Sequence, residues 1–529
     1  MDVLADGVET LAERLAAAGY ATAAFVENSH LEPRYSHLDR GFATYVSDAG
    51  DAGQIVHRFW SWFDRAPRRR FFAYLHFLDV HWPYRPPAGV PGRELDEADR
   101  ATALAWQITG KRWWLMRNAV RDGLLDLSAA DLELLRRLYD GEIYDTDGAI
   151  GRLLELLAAR GILDDTAVIV TADHGEGFLD HGRLDHGYGL YEELLRVPLI
   201  VRLPGGRRGG ERVAWPVQLV DVAPTVLELA GLDWQGLDGR TLLDPSPRRA
   251  LYFEEHHGSM VQLGIRAGRY AYIRTEQPAA AEAAAARSEF SVPVEVRPGA
   301  RVQAEGMFAA GRFVADEVKV VEPGDRDCEL AGPIEWISPN RDFLRVLGYR
   351  VVLPAEGPAL AALKLLDGNR HFSLAELEPT EWVRVQGMPE GRSFVATKIE
   401  RLRDPEQHEI EIEGVAGHLR VEGRRVWLEV CDDRIVLSPD VRWKGVSENR
   451  HVLALEAAPK PSLSEELYDV EADPREQRNL VRQRPEVLAE LQVQLGELRE
   501  KFGRARKVPA PVPLDRATRD RLRALGYLR

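Results

Sequence analysis

Residues Thr166 to Thr171, Thr-Ala-Val-Ile-Val-Thr, run straight into Ala172-Asp173-His174-Gly175-Glu176. The β-branched run predicts a buried strand. The residues after it put a carboxylate and an imidazole at the strand's C-terminal end, where open α/β sheets place their sites. The loop continues Gly177-Phe-Leu-Asp-His181-Gly-Arg-Leu-Asp-His186-Gly-Tyr-Gly-Leu-Tyr191, so that three of the chain's 14 histidines fall between positions 174 and 186. Carboxylate oxygen and imidazole nitrogen are ligands for a divalent metal, and glycines at 175, 177, 182, 187 and 189 let backbone turn tightly against an ion or anion. Taken alone, an Asp-His pair is more often a polar loop contact than a ligand pair.

Working outward, Asp131 to Arg160 carries leucine and isoleucine at helical steps and is closed by Gly161. Near the start, Val8 to Ala18 predicts a helix ended by Gly19, and Ala21 to Val26 a short buried strand. Phe71 to Leu78 predicts another strand, which runs into Asp79-Val80-His81-Trp82-Pro83, where the proline stops it. Alternating helices and strands imply layered α/β architecture with a largely parallel sheet.

After residue 276 the grain changes. An alanine-rich stretch, Ala279 to Ala286, gives way to short valine-rich segments punctuated by glycine and proline, an all-β signature. Val302, Gly306, Met307, Phe313, Val314 and Ala315 recur as Val383, Gly387, Met388, Phe394, Val395 and Ala396, a constant offset of 81 that suggests two copies of a small β-barrel-like unit. From Ser464 the helical grain returns, with Val487, Leu488, Leu491, Leu495 and Leu498 on one face of Pro485 to Phe502.

The chain's 529 residues imply roughly three to five domain-sized units. With 45% hydrophobic and 29% charged residues it reads as an ordinary globular protein, and the net charge of −15 argues against a nucleic-acid partner. Two cysteines, Cys328 and Cys431, suffice for neither a disulfide framework nor a multi-thiolate zinc site. No apolar run approaches the ~20 residues of a membrane span, and Met1 to Asp6 lacks a signal-peptide layout. The expectation is a soluble chain of open compartment and oligomeric state.

The motifs resemble the sulfatase family of the alkaline phosphatase superfamily. The resemblance rests on Thr171-Ala-Asp-His-Gly-Glu176, His181-Gly, His186-Gly, Leu190-Tyr-Glu-Glu193 and Arg196-Val-Pro-Leu-Ile-Val-Arg-Leu-Pro-Gly205, flanked by Glu9 to Tyr20, Arg40-Gly-Phe42 and Phe72 to Pro87. It continues through Tyr144 to Leu157, Asp221-Val-Ala-Pro-Thr225, Asp238-Gly-Arg-Thr241, Leu467 to Pro474 and Leu522 to Leu528. It implies that Asp173 and His174 are metal ligands in one half of a calcium-type site, with magnesium or manganese as alternatives. His81 and His186 would face the anionic ester, His186 standing where many relatives have a lysine. His181 would brace the loop, and His76 would pack within its strand.

The family also carries an Asp-Asp metal pair on its first strand and a Cys-x-Pro-Ser-Arg motif whose cysteine or serine becomes formylglycine, the nucleophile. Both belong upstream of the segment that here starts the chain, and Cys328 and Cys431 lie in the β-rich region, outside any such motif. The resulting expectation is a sulfatase-like mixed sheet flanked by helices, its first strand missing, over residues 1–276. An all-β insert follows over 277–463, with repeats near 289–354 and 371–440, and a C-terminal subdomain over 464–529. In a longer form bearing formylglycine the protein would cleave sulfate esters of small molecules or glycans, and as given it would be catalytically incomplete. A phosphodiester or phosphonate monoester hydrolase, or a non-catalytic binding protein on a degenerate sulfatase fold, are the competing readings. Export would depend on a missing front.

Overall fold

A computed structural model describes residues 4–503 apart from 6, 66–69, 88, 92–94, 97–98, 100–101, 104–112, 245–249, 258–259, 277–288, 310–311, 323–326, 354–362, 369, 391–392, 404–409, 424, 432 and 456–463. The closing match of the resemblance, Leu522 to Leu528, and the alanine-rich stretch lie outside the described residues. Two compact units form, one from Met1–His81, Glu142–Glu282 and Pro461–Arg519, the other from Trp82–Gly141, Ala283–Lys460 and Asp520–Arg529.

In the first unit, Thr10 opens helix Leu11–Ala17 with a capping box: its Oγ1 accepts from Glu13 N at 3.0 Å while the Glu13 carboxylate accepts from Thr10 N at 2.7 Å. Strand Ala21–Val26 follows, at the centre of a three-stranded parallel sheet between Thr44–Val46 and Phe71–His76. Parallel neighbours need a crossover, and helix Ala52–Phe63 supplies it. A capping box at Asp51 starts that helix, and its Ile55, Phe59 and Trp60 bury against Ala23 and Phe25. Ala149 and Leu157 of helix Ala129–Ala159 close the same core.

Strand Val168–Thr171 pairs antiparallel with Leu199–Arg202. Among the described residues, Phe71–His76 bonds only to Ala21–Val26, and Val168–Thr171 only to Leu199–Arg202, so each strand keeps one open edge. Phe71, Ala73, Leu75 and Val168 nevertheless pack on the one apolar cluster. The architecture is α/β with an interrupted mixed sheet. A separate four-stranded antiparallel sheet, in the order Ser464–Asp469, Tyr270–Glu276, Met260–Ala267, Leu251–His257, is covered by helix Pro485–Gly503, whose Leu491 and Leu495 meet Leu263 and Tyr272. No helix among the described residues is long and apolar enough to cross a membrane.

In the second unit the repeat is visible as two hairpins, Arg301–Ala309 with Arg312–Val320 and Trp382–Glu390 with Ser393–Leu402. Each has a bulge at the repeated glycine. A Cβ on Gly306 would sit 2.0 Å from Val314 O, and one on Gly387 2.1 Å from Val395 O, so the crossing backbones exclude any side chain. The first hairpin closes a five-stranded ring with Ile410–Glu422, Arg425–Val430 and Asp433–Lys444, strands that follow the second hairpin. The second closes with Cys328–Ile337, Phe343–Val346 and Tyr349–Val352, strands that follow the first. The repeats thus exchange hairpins, and Cys328 and Cys431 join in a disulfide within the exchanged body. Trp382, on the second hairpin, is 1% exposed, because strand alternation turns its indole into the core.

Candidate functional site

The strand Val168–Thr171 delivers Asp173 and His174 into a loop held close to a second backbone segment. Gly175 N donates to Leu194 O at 2.8 Å, and a Cβ on Gly175 would lie 2.0 Å from Glu193 O, so only glycine fits. The Asp173 carboxylate accepts from His174 N at 3.0 Å. His174 Nδ1 lies 2.8 Å from Gly175 O, which fixes the proton on Nδ1 and leaves the Nε2 lone pair free, 3.8 Å from Asp173 Oδ1. One oxygen and one nitrogen at that spacing suit adjacent ligand positions on a single divalent ion. They fit half a site, since calcium takes six to eight oxygen ligands and magnesium about six.

His186 sits beside them. Its ring centroid is 4.0 Å from that of His174 and 5.3 Å from that of His81, so three of the four sequence-predicted site residues meet at His186 and Asp173 adjoins them through His174. His186 Nδ1 is 2.8 Å from Asp185 Oδ1 and 3.3 Å from Glu176 Oε1. Burial opposes its charged form, but the negative charge and hydrogen bonds of Asp185 and Glu176 outweigh that and push the imidazole up to about 10. Asp185 and Glu176 thus favour the protonated ring.

Sequence reading gives Asp185 and Glu176 no role, although both flank quoted histidines. Asp185 is 7% exposed and left-handed, with φ 73°, an uncommon backbone for a non-glycine residue. Two further groups lie close to these residues. Glu255 is half-buried, its carboxyl raised by burial and drawn back by the neighbouring His186, His256 and His174. His76, expected to pack within its strand, has its imidazole lowered chiefly by burial and drawn back by the Asp173 charge, and its buried Nδ1 has no hydrogen-bond partner. No local pattern marks either residue, because proximity arises from strands far apart in sequence.

His181 stands elsewhere on the loop. Its Nδ1 is 2.6 Å from Glu193, its Nε2 3.2 Å from Glu476 O, and its ring stacks on Tyr191 with centroids 3.8 Å apart and planes 3° apart. Both nitrogens are committed within the fold. Among the described residues, the groups offering three or more metal-type donors are Glu176–Asp185–His186 and His181–Glu193–Glu476. In each, hydrogen bonds between carboxylate and imidazole account for the cluster without an ion.

The same strand and loop elements decide the relationship. Residues 2–232 match the family model described as Sulfatase. This segment belongs to the sulfatase family. The chain is similar to arylsulfatase K of Danio rerio, at 35% identity over 138 residues, which covers 24% of this chain and 26% of that protein. It is also similar to the multifunctional alkaline phosphatase superfamily protein PehA of Trinickia caryophylli, at 36% identity over 119 residues, 22% of this chain and 23% of that one. The matched stretch spans about a quarter of the length of these curated relatives. Among solved structures, a phosphonate monoester hydrolase of Agrobacterium radiobacter superposes with a TM-score of 0.40 at 20% identity, covering 52% of this chain and 74% of that one.

Proposed function

We propose that the sulfatase segment is the anion-binding and metal-binding half of a sulfate-ester hydrolase. The observation that carries this is the imidazole of His186, held by Asp185 and Glu176 and set against His174 and His81. Asp173 Oδ1 and His174 Nε2 would hold a divalent ion, for which calcium is the first candidate. Such an ion polarises a tetrahedral ester and neutralises its charge. His186 contributes a cation that needs no proton from solvent, and His81 a second nitrogen directed at the ester or its leaving oxygen.

The nucleophile is not supplied here. Both cysteines are consumed in the Cys328–Cys431 disulfide of the other unit, so neither serves as a formylglycine precursor. On this reading turnover requires a formylglycine and metal ligands beyond Asp173 and His174, and the chain alone binds the ester without cleaving it. The ester is that of a small molecule or glycan. A tetrahedral phosphonate or phosphodiester would meet the same cation and metal, and competition between sulfate and methylphosphonate distinguishes the two. The disulfide supports an oxidising compartment, in keeping with export.

The test is calorimetric titration of inorganic sulfate into the 529-residue chain with and without calcium. Calcium-enhanced binding that Asp173→Asn abolishes is the expected result. Sulfate binding indifferent to both calcium and Asp173→Asn, or rapid hydrolysis of an aryl sulfate by this chain, would overturn the reading.

A further inference from the structure

The two copies of the repeat differ in what covers their hairpins. Met307 is 1% exposed, whereas Met388, its counterpart 81 residues on, is 44% exposed. Arg312, which opens the returning strand of the first hairpin, has Ser393 as its counterpart, so only the first copy carries a guanidinium at that place. That guanidinium is directed at the turn Gly123 to Asp126, which follows the helix Trp113–Arg121. Arg312 Nη1 donates to Asp126 Oδ2 at 3.0 Å and to Leu124 O at 3.4 Å. Arg425, from the same five-stranded ring, donates to Asp126 Oδ2 at 3.1 Å and to Gly123 O at 2.6 Å. Burial opposes the charge on Asp126, but the two arginines outweigh it and hold the carboxyl below its ordinary value.

From this clamp the chain leads back to His81. Leu124 and Leu125 are buried, and Ser128 starts the next helix, Ala129–Ala159, its Oγ accepting from Asp131 N at 3.2 Å. Tyr139 of that helix meets Tyr84 with ring centroids 5.4 Å apart, and Tyr84 meets Trp82 at 5.2 Å. Gly141 receives Pro86: a Cβ there would lie 2.5 Å from Pro86 Cβ, so a side chain would push the two segments apart. Trp82 and Tyr84 are both fully buried, and Trp82 is the residue bonded to His81. The backbone that bears the imidazole is therefore anchored by what immediately follows it.

We propose that the β-rich insert is a positioning element for the anion site: by holding Asp126, Arg312 and Arg425 fix the segment that continues from His81 and so set where its imidazole stands against His186. This rests on the reading in which His81 faces the ester. The two arginines are positioning residues that act only through residues 82–141. The uncovered second hairpin fits the same account, since its Ser393 has no guanidinium with which to hold such a segment.

The test takes the full chain with calcium present and reads two quantities: affinity for inorganic sulfate by calorimetry, and the ring resonances of His81 in histidine-labelled protein, identified by their loss in His81→Ala. Asp126→Ala should weaken sulfate binding about fivefold and displace the His81 resonances while those of His181 stay. Asp126→Glu, which keeps a carboxylate for both guanidiniums, should restore most of both. The Asp126 side chain is 66% exposed, so its replacement should leave the melting temperature nearly unchanged. In a His81→Ala background, Asp126→Ala should cost no further sulfate affinity, because the path ends at His81. Unmoved His81 resonances in Asp126→Ala, or a loss of affinity that simply adds to that of His81→Ala, would overturn the positioning role while leaving the anion site standing. If the unaltered chain binds no sulfate, the anion site fails by itself, and the His81 resonances still decide whether the clamp sets that residue.

Discussion

His181 and His186 share one loop, and each sets its Nδ1 against a carboxylate. His181 is enclosed: one nitrogen meets Glu193, the other a backbone carbonyl, and Tyr191 covers a ring face. His186 is supported from behind by Asp185 and Glu176 and meets other imidazoles and a cleft. The pairing chemistry is the same, so what separates a brace from an anion binder is what lies on the remaining side of the ring. Swapping one residue for the other as the target of mutation therefore gives the sharpest tests.

The largest effect is expected from His186→Ala. Removing a buried cation from an anion site should lower affinity for inorganic sulfate by about 100-fold, in line with the roughly 2–5 kcal/mol lost when one partner of a buried charge pair is truncated. His181→Ala should leave sulfate binding within about twofold and instead cost about 1–3 kcal/mol of stability, since partly buried Glu193 loses its partner. Calorimetry and urea melts on both variants check this. A crossed result, with His181→Ala abolishing sulfate binding, would reverse the assignment of roles.

Next in size is Asp185→Asn. The ring would keep Glu176 at 3.3 Å, while at 2.8 Å a neutral amide oxygen would replace the charged carboxylate that holds the imidazolium, and sulfate affinity should fall about tenfold. Glu193→Gln, the matching change at His181, should leave affinity unaltered.

Much of this comparison's framework is legible in sequence. Strand Ala21–Val26 and helices Leu11–Ala17, Ala129–Ala159 and Pro485–Gly503 follow from periodicity and glycine stops, which are local signals. The meeting of His81, His174 and His186 follows from a resemblance, and no spacing dictates it. Illegible are the contacts between distant segments. Nothing near Val302 reveals that it faces Gly414, so repeats at an offset of 81 suggest two closed units where the strands exchange hairpins. For the same reason two isolated cysteines, separated by 103 residues, give no hint that they bond. Asp185 is the instructive miss, because Leu-Asp-His-Gly reads as a turn, and only the φ of 73° with burial to 7% shows a carboxylate folded back onto the next residue's ring.

The brace should also be visible in pH dependence. Glu476 is 2% exposed, and burial pushes its carboxyl up to about 7, opposed by the amide of Glu192 and the charge of His181 and reinforced by Glu192 and Glu193. At His181 burial disfavours the cation, but Glu193 and the Glu476 carbonyl outweigh it and raise the imidazole. The other charges packed here are Arg266, paired with Glu192, and Glu466, which binds Tyr191. Both shifted groups hold more protons folded than unfolded near neutrality, so stability is fullest below about pH 4.5 for this pair and falls as pH rises through about 7 and above. The Glu476 shift alone corresponds to about 3 kcal/mol, and His181 adds in the same direction, both read as a declining urea midpoint between pH 5 and 8. Glu476→Gln should flatten the acidic part of that slope, and an unchanged slope would mean that the cluster is not coupled to folding.

The smallest effect is expected from Tyr191→Phe. Phenylalanine keeps the face that stacks on His181 and gives up only the hydroxyl that donates to Glu466 at 2.9 Å. Glu466 retains the Tyr468 hydroxyl at 2.8 Å, so no buried carboxylate is stranded, and the loss should stay at about 0.5–1.5 kcal/mol. If stacking and the two nitrogen contacts suffice to lock His181, sulfate affinity will not change. A fall in sulfate affinity larger than the stability loss would mean that the enclosed histidine reports on the anion site after all, and the division between the two rings would have to be redrawn around Tyr191.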